Sequence, residues 1–161
     1  MLRGATAKDS LAMGRVYCEA WKAAYRGMMP DAFLDSLTDE NCAPPSERIS
    51  PDNSIVWEED GVICGLANFG PGRDADSDGM AEIRSIYVLP ECWQKGVGGM
   101  LMQGAADALR RLGFTKVFLW TLESNARARR FYEKQGMVLT GTRMIEIAGA
   151  KLSECRYEMD I

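Results

Sequence analysis

The sequence contains no histidine. That absence removes the commonest general base, the Ser/His and Cys/His nucleophilic pairs and imidazole metal ligands. Any proton transfer falls to Glu, Asp, Tyr, Lys, Cys or water. Cysteines are few and unpaired in pattern: Cys18, Cys42, Cys64, Cys92 and Cys155 are odd in number and include no C-x-x-C. Neither a disulfide framework nor a zinc site is indicated, no metal is expected, and a reducing cytoplasm fits best. No charge-free apolar run approaches the ~18 residues of a membrane span. The start M-L-R-G-A-T-A-K-D-S has no apolar stretch behind its basic residue, so nothing points to export or to a membrane. Positive charge is also short: 19 Lys and Arg against 23 Asp and Glu give a net charge of -4, against a nucleic-acid partner held by bulk electrostatics.

What remains is an ordinary globular composition, 47% apolar and 26% charged over 161 residues, the size of one domain spanning 1–161. Thr6 caps an expected helix from Lys8 to Tyr25 that stops at Gly27, after a short strand at Leu2 and Arg3. Pro30 opens a short helix from Asp31 to Leu37. Ser54–Glu58 and Val62–Phe69 flank Asp60-Gly61 and read as a hairpin, followed by a polar loop and a strand from Glu82 to Val88. Leu101, Met102, Ala105, Leu109 and Leu112 share one face of a helix from Gly98 to Leu112. Lys116–Thr121 reads as a central strand covered on both faces, and Asn125 caps a helix that ends at Gly136. Met137–Thr140, or its extension to Ile147, and Leu152–Met159 close the chain as a hairpin around Gly149. The order β-α-α-β-β-β-α-β-α-β-β is mixed α/β, not the regular alternation of a doubly wound nucleotide-binding fold.

The chemistry concentrates in Ile86-Tyr-Val-Leu-Pro-Glu-Cys-Trp-Gln-Lys-Gly-Val-Gly-Gly-Met-Leu-Met102, which passes from strand through a glycine-rich loop into an amphipathic helix. Unpaired N–H groups at a helix start, together with its dipole, make a site for phosphate oxygens. Gly96, Gly98 and Gly99 let the backbone approach a pyrophosphate, and Lys95 adds positive charge. The spacing is neither a P-loop nor G-x-G-x-x-G, and alone it is equally a glycine-rich helix start without a ligand. Downstream stands a second constellation, Asn125-Ala-Arg-Ala-Arg-Arg-Phe-Tyr-Glu-Lys-Gln-Gly136.

Together these runs resemble the GNAT superfamily of acyl-CoA-dependent N-acyltransferases. Val88, Pro90, Gly96 and Gly98 meet V-x-P-x-x-[QR]-x-x-G-x-[GA]; Asn125, Ala128, Phe131, Tyr132, Gly136 and Met137 meet N-x-x-A-x-x-[FL]-Y-x-x-x-G-[FM]. A-T-x-x-D near the N-terminus and W-x-x-A-Y-x-G from Trp21 to Gly27 are similar to a common bacterial branch. Two departures are Trp93, in the place usually held by Gln or Arg, and the Pro44-Pro45 interruption where the acceptor is often covered.

The resemblance implies a central, mostly antiparallel sheet splayed at an acetyl-CoA site, with helices on both faces. It implies an N-acetyltransferase that needs no metal and passes the acetyl group directly to a primary amine of a small molecule, peptide or protein. A non-catalytic acyl-CoA sensor or assembly module on the same fold is the alternative. Ile86, Val88, Asn125, Ala128 and Tyr132 are then expected at the pantetheine arm, and the amides of Gln94, Lys95, Gly96, Val97, Gly98 and Gly99 at the pyrophosphate. The Val88 N–H is the expected oxyanion donor and Tyr132 the acid to the leaving thiolate. Glu82, six residues before Val88 and so expected on the same sheet face, is the candidate base. Trp21, Tyr25 and Tyr157 are candidates for the acceptor side, and core packing explains each as well. Cys92 reads as an inert loop thiol, the alternative being a reactive one if the helix N-terminus lowers its pKa. Asp74-x-Asp76-x-Asp78-Gly79 copies half of a calcium loop, but Ser85 stands where the closing acid belongs, so a solvated loop is expected. The last hairpin offers an edge for a homodimer.

Overall fold

In the computed structural model, which describes residues 1–161, seven strands form one sheet. The strands are β1 (Leu2–Gly4), β2 (Ser54–Glu59), β3 (Val62–Pro71), β4 (Ala81–Val88), β5 (Lys116–Leu122), β6 (Val138–Ile147) and β7 (Ala150–Asp160). The helices are α1 (Ser10–Tyr25), α2 (Asp31–Asp35), α3 (Asp39–Cys42), α4 (Val97–Arg111) and α5 (Ala126–Lys134). Strand order is β1-β2-β3-β4-β5-β7-β6, antiparallel throughout except where β4 meets β5.

That parallel junction positions the site. β4 and β5 pair only at Ala81 with Val117 and Glu82 with Phe118, after which the two strands diverge. The sheet therefore opens toward Val88, as expected from the resemblance. The face that carries Gly65 packs on α4: a Cβ there would come within 3.2 Å of Val97 and 2.9 Å of Leu101. The opposite face receives α1 through Tyr17, which meets Tyr87 of β4 edge-on at 4.9 Å. Val16, Leu66, Phe69, Leu101, Leu109, Val117 and Leu119 are buried in the continuous core between these layers.

β4 carries an irregularity that alternation alone does not reveal. Ser85 pairs with Asn68 and Ile83 with Phe69, so Arg84 is an extra residue, a bulge. The bulge shifts the alternation by one: Glu82 shares its face with Ser85 and Tyr87, opposite to Val88. The expectation that Glu82 and Val88 point to one face is thereby corrected.

Most element boundaries agree with the sequence reading to within one to three residues. α1 begins at Ser10 because Ala7–Asp9 forms a tighter 3-10 turn, locked by the Asp9 carboxylate accepting from the Thr6 N–H at 2.7 Å. α3 was not expected; Thr38 and Asn41 cap it reciprocally, Asn41 N–H donating to Thr38 Oγ1 at 3.2 Å and Thr38 N–H to Asn41 Oδ1 at 2.8 Å.

Candidate functional site

A cavity of about 500 Å³ fills the opening between β4 and β5 and is lined by α1, β4, the loop after it, and the starts of α4 and α5. Its floor follows from hydrogen-bond alternation. Leu89 N–H donates to Cys64 O at 2.8 Å, which makes Leu89/Cys64 a hydrogen-bonded pair. The neighbouring pairs Val88/Gly65 and Ile86/Ala67 are then of the other kind, so the N–H and C=O of Ile86 and Val88 turn from β3 into the gap. No second strand satisfies them there.

The loop supplies an anion cradle. Gln94 has φ 62° and Gly96 φ 83°, left-handed conformations just before α4, whose first-turn N–H groups have no intrahelical partner. A Cβ at Gly96 or Gly99 would meet nothing within 4 Å, so the cradle is open space on the cavity side. Gln94, Gly96, Gly98 and Gly99 line it. Val97 instead buries its side chain in the core, leaving only its N–H to the cradle, and the Lys95 side chain stays exposed.

Four cationic side chains line the cavity, Arg84, Arg127, Arg130 and Lys134, and no carboxylate does. Three of them recur at 127, 130 and 134, one face of α5, a spacing legible in the sequence but not used. The Arg127 guanidinium lies 3.4 Å over the Trp93 ring, and Trp93 Nε1 donates to Val88 O at 2.8 Å. Trp93 thus ties the cradle to the strand end and forms a platform for Arg127. Desolvation lowers the pKa of both Arg127 and Arg84, a cost that an anionic ligand offsets.

Asn125 is buried and accepts from Ala128 N–H at 3.1 Å, capping α5 where Ala128 and Tyr132 face the cavity. Burial, and secondarily the nearby Tyr25, pushes the Tyr132 phenol well above its ordinary pKa. It stays neutral and able to donate. Tyr25 lines the α1 side and is raised by desolvation in the same way.

Three expected site residues stand elsewhere. Glu82 is buried at the closed end of the β4/β5 junction, where Arg73 holds both its oxygens, Nε to Oε2 and Nη2 to Oε1 at 2.7 Å each. It does not line the cavity. Tyr157 is fully buried; its register with Leu119 turns it toward α5, where its hydroxyl donates to Glu133 at 2.8 Å and accepts from Arg129 Nε at 3.1 Å. Trp21 sits one layer back, stacked at 4.9 Å on Tyr17 and edge-on to Tyr25 at 5.0 Å. It buttresses the wall that Tyr25 presents.

Two of the three aspartates of the polar loop are also committed. Asp74 accepts from Trp120 Nε1 at 2.7 Å and Asp76 from Arg156 Nη1 at 2.8 Å, which pins the loop over β5 and β7.

Comparison with known proteins gives the same assignment. The model of the acetyltransferase (GNAT) family matches residues 16–137. The uncharacterized N-acetyltransferase YuaI of Bacillus subtilis is 28% identical over 154 residues, covering 95% of this chain and 88% of YuaI. Two solved structures superpose along almost the full length. The PaiA N-acetyltransferase of Thermoplasma acidophilum with coenzyme A has TM-score 0.73 and 18% identity over 100% of this chain and 98% of that one. The acetyltransferase yncA of Salmonella typhimurium with acetyl-CoA has TM-score 0.74 and 24% identity over 99% and 92%.

Proposed function

The chain belongs to the GNAT acetyltransferase family, and from that premise we propose that it moves an acetyl group from acetyl-CoA directly to a primary amine, both bound together. The observation that carries this reading is the sheet opening itself, where the Ile86 N–H and C=O and the Val88 N–H, which no strand pairs, meet the Gln94–Gly99 cradle and the neutral Tyr132, while Trp93 holds Val88 O. The residues fit acetyl-CoA. The cradle N–H groups and the Arg127, Arg130 and Lys134 face of α5 suit its phosphates, and the free β4 groups suit the amides of its pantetheine arm.

The chain's own groups then divide the work. A preorganised N–H from β4, Val88 or its neighbour Ile86, is placed to stabilise negative charge on the thioester oxygen. Tyr132 is placed to protonate the departing thiolate. The acceptor approaches from the α1 side, past Ala20, Ala24 and Tyr25. With both Glu82 oxygens on Arg73 and no carboxylate in the lining, the ammonium proton leaves to water at the cavity mouth. No helix is long and apolar enough to cross a membrane, and the proposed use of acetyl-CoA supports a cytoplasmic location.

The test is calorimetric titration with acetyl-CoA beside Gly96→Asp, which puts a Cβ at φ 83° and a carboxylate into the cradle. Micromolar binding that the variant loses, followed by thiol release on adding amines, supports the reading. Absence of binding by the parent protein overturns it.

A further inference from the structure

The acceptor side of the cavity has a chemical sign. Ala20, Ala24 and Tyr25 of α1 face Arg84, Ser85 and Trp120, and Arg84 is the one charged group among them. Its placement is a product of the β4 bulge, which sends Arg84 to the same face as Ser85 and Tyr87. There the guanidinium lies over Gly70, where a Cβ would come within 2.9 Å of Nη2. A side chain at position 70 would displace it.

Arg84 has no acidic partner. Its one hydrogen bond within the protein runs to Pro71 O at 3.2 Å. The nearby carboxylate, Glu82, gives both oxygens to Arg73, and Arg73 in turn repels Arg84. Most other arginines of this acidic chain are paired: Arg3 with Asp9, Arg26 with Asp31 and Asp35, Arg143 with Glu154, Arg156 with Asp76. Arg84 is instead exposed at the rim of a cavity without carboxylates, a guanidinium whose fork is open to an incoming anion.

We propose that the acceptor is a primary amine that also carries a carboxylate, and that Arg84 binds that carboxylate and sets specificity. This rests on the transferase reading above. A polyamine or a lysine-rich segment would meet a guanidinium with no carboxylate to receive its charges. Arg84 lies two residues from Ile86 and four from Val88, about 7 and 13 Å along an extended strand. Probes with both short and long separations of amine from carboxylate therefore belong in the test.

The experiment measures thiol release from acetyl-CoA with matched amines: L-leucine against 3-methylbutylamine, 6-aminohexanoate against hexylamine, and spermidine alone. In at least one pair the carboxylate member is expected to have a KM at least about tenfold lower, the scale of one charged hydrogen-bonded contact. Arg84→Gln should collapse that ratio toward one, and Arg84→Lys should restore part of it. Calorimetry with acetyl-CoA on each variant checks that the donor site is intact. Preference for spermidine or the neutral amines, or a ratio indifferent to Arg84→Gln, overturns the inference while leaving the transferase reading standing; turnover of none of the probes overturns the inference and counts against the transferase reading as well. Failure of the parent protein to bind acetyl-CoA removes that reading first.

Discussion

Tyr132→Phe separates catalysis from binding and from folding. The ring stays, so the packing of α5 against the core is kept. The hydroxyl has burial and the Tyr25 charge as the causes of its raised pKa and no hydrogen bond within the protein among them. Its removal should therefore change stability by less than the ~1 kcal/mol typical of a net hydrogen bond. Turnover should respond differently. A positioned acid contributes about 10²–10⁴-fold, so kcat should fall by that factor, roughly 3–5 kcal/mol of barrier. Acetyl-CoA affinity should stay within about threefold, because one hydroxyl-to-sulfur contact is a small part of the binding. Thiol release gives kcat, calorimetry gives affinity and thermal unfolding gives stability. Since burial raises the phenol's pKa, Tyr132 remains protonated between about pH 6 and 9, and the wild-type kcat profile should show no alkaline loss from it. A fall of less than about threefold in kcat would refute the acid role. Acetyl-CoA binding with no turnover of any amine would instead point to a sensor on this fold.

Glu82→Gln should lower thermal stability by about 1–3 kcal/mol, because the buried carboxylate loses its charged hydrogen bonds from the largely exposed Arg73, and should leave kcat within a few-fold; a loss beyond about a hundredfold at unchanged stability would restore Glu82 as the base. Asp9 is held down to about 2, first by its hydrogen bond from Arg3, so the stability it confers is present above about pH 4 and is lost as pH falls toward 2. Asp9→Asn should then cost about 2 kcal/mol in urea unfolding at pH 7 and much less at pH 2. The Cys64 thiol is pushed up to about 11 by burial and by Cys92, so in the native protein alkylation at pH 8 should be orders of magnitude slower than in urea. Arg130→Glu should weaken acetyl-CoA binding, and the difference from wild type should shrink as salt rises from about 0.05 to 0.5 M, because screening acts on both.

The proposed donor site was legible because it is built from backbone. Positive φ at Gly96, the cap at Asn125 and the open strand end at Val88 are demands on residue type at fixed spacing, and such demands leave motifs. The acceptor side was not legible, since it depends on which face a side chain reaches and on what packs across it. Tyr157 in alternation with Cys155 and Met159 says that it is inward, yet only the register with Leu119 shows it facing α5 and Glu133 rather than the cavity. Trp93 departs from the motif in a way that sequence leaves without a reason; its reason is tertiary, a bond to Val88 O and a stack under Arg127.

The bulge at Arg84 makes the same point at the scale of a single residue and decides the chemistry of the acceptor side. In a regular strand Glu82 would share a face with Val88, and Arg84 would share it too. One inserted residue reverses this relation: Glu82 moves opposite Val88, to the closed end where Arg73 takes its charge, and Arg84 reaches the cavity without a partner. The carboxylate that a cationic acceptor would need is thus neutralised within the fold, and the charge left at the rim is positive. In a chain with net charge -4, the charged groups that line the cavity are nevertheless all cations, and acids such as Asp9 and Asp76 pair elsewhere with arginines that do not line it. Over the few ångströms between a bound anion and these guanidiniums, shorter than the ~8–10 Å screening length, the local field outweighs the net charge. Both substrates of the proposed reaction meet positive charge on their own side of one sheet opening, the donor's phosphates at α5 and the acceptor's carboxylate at the bulge.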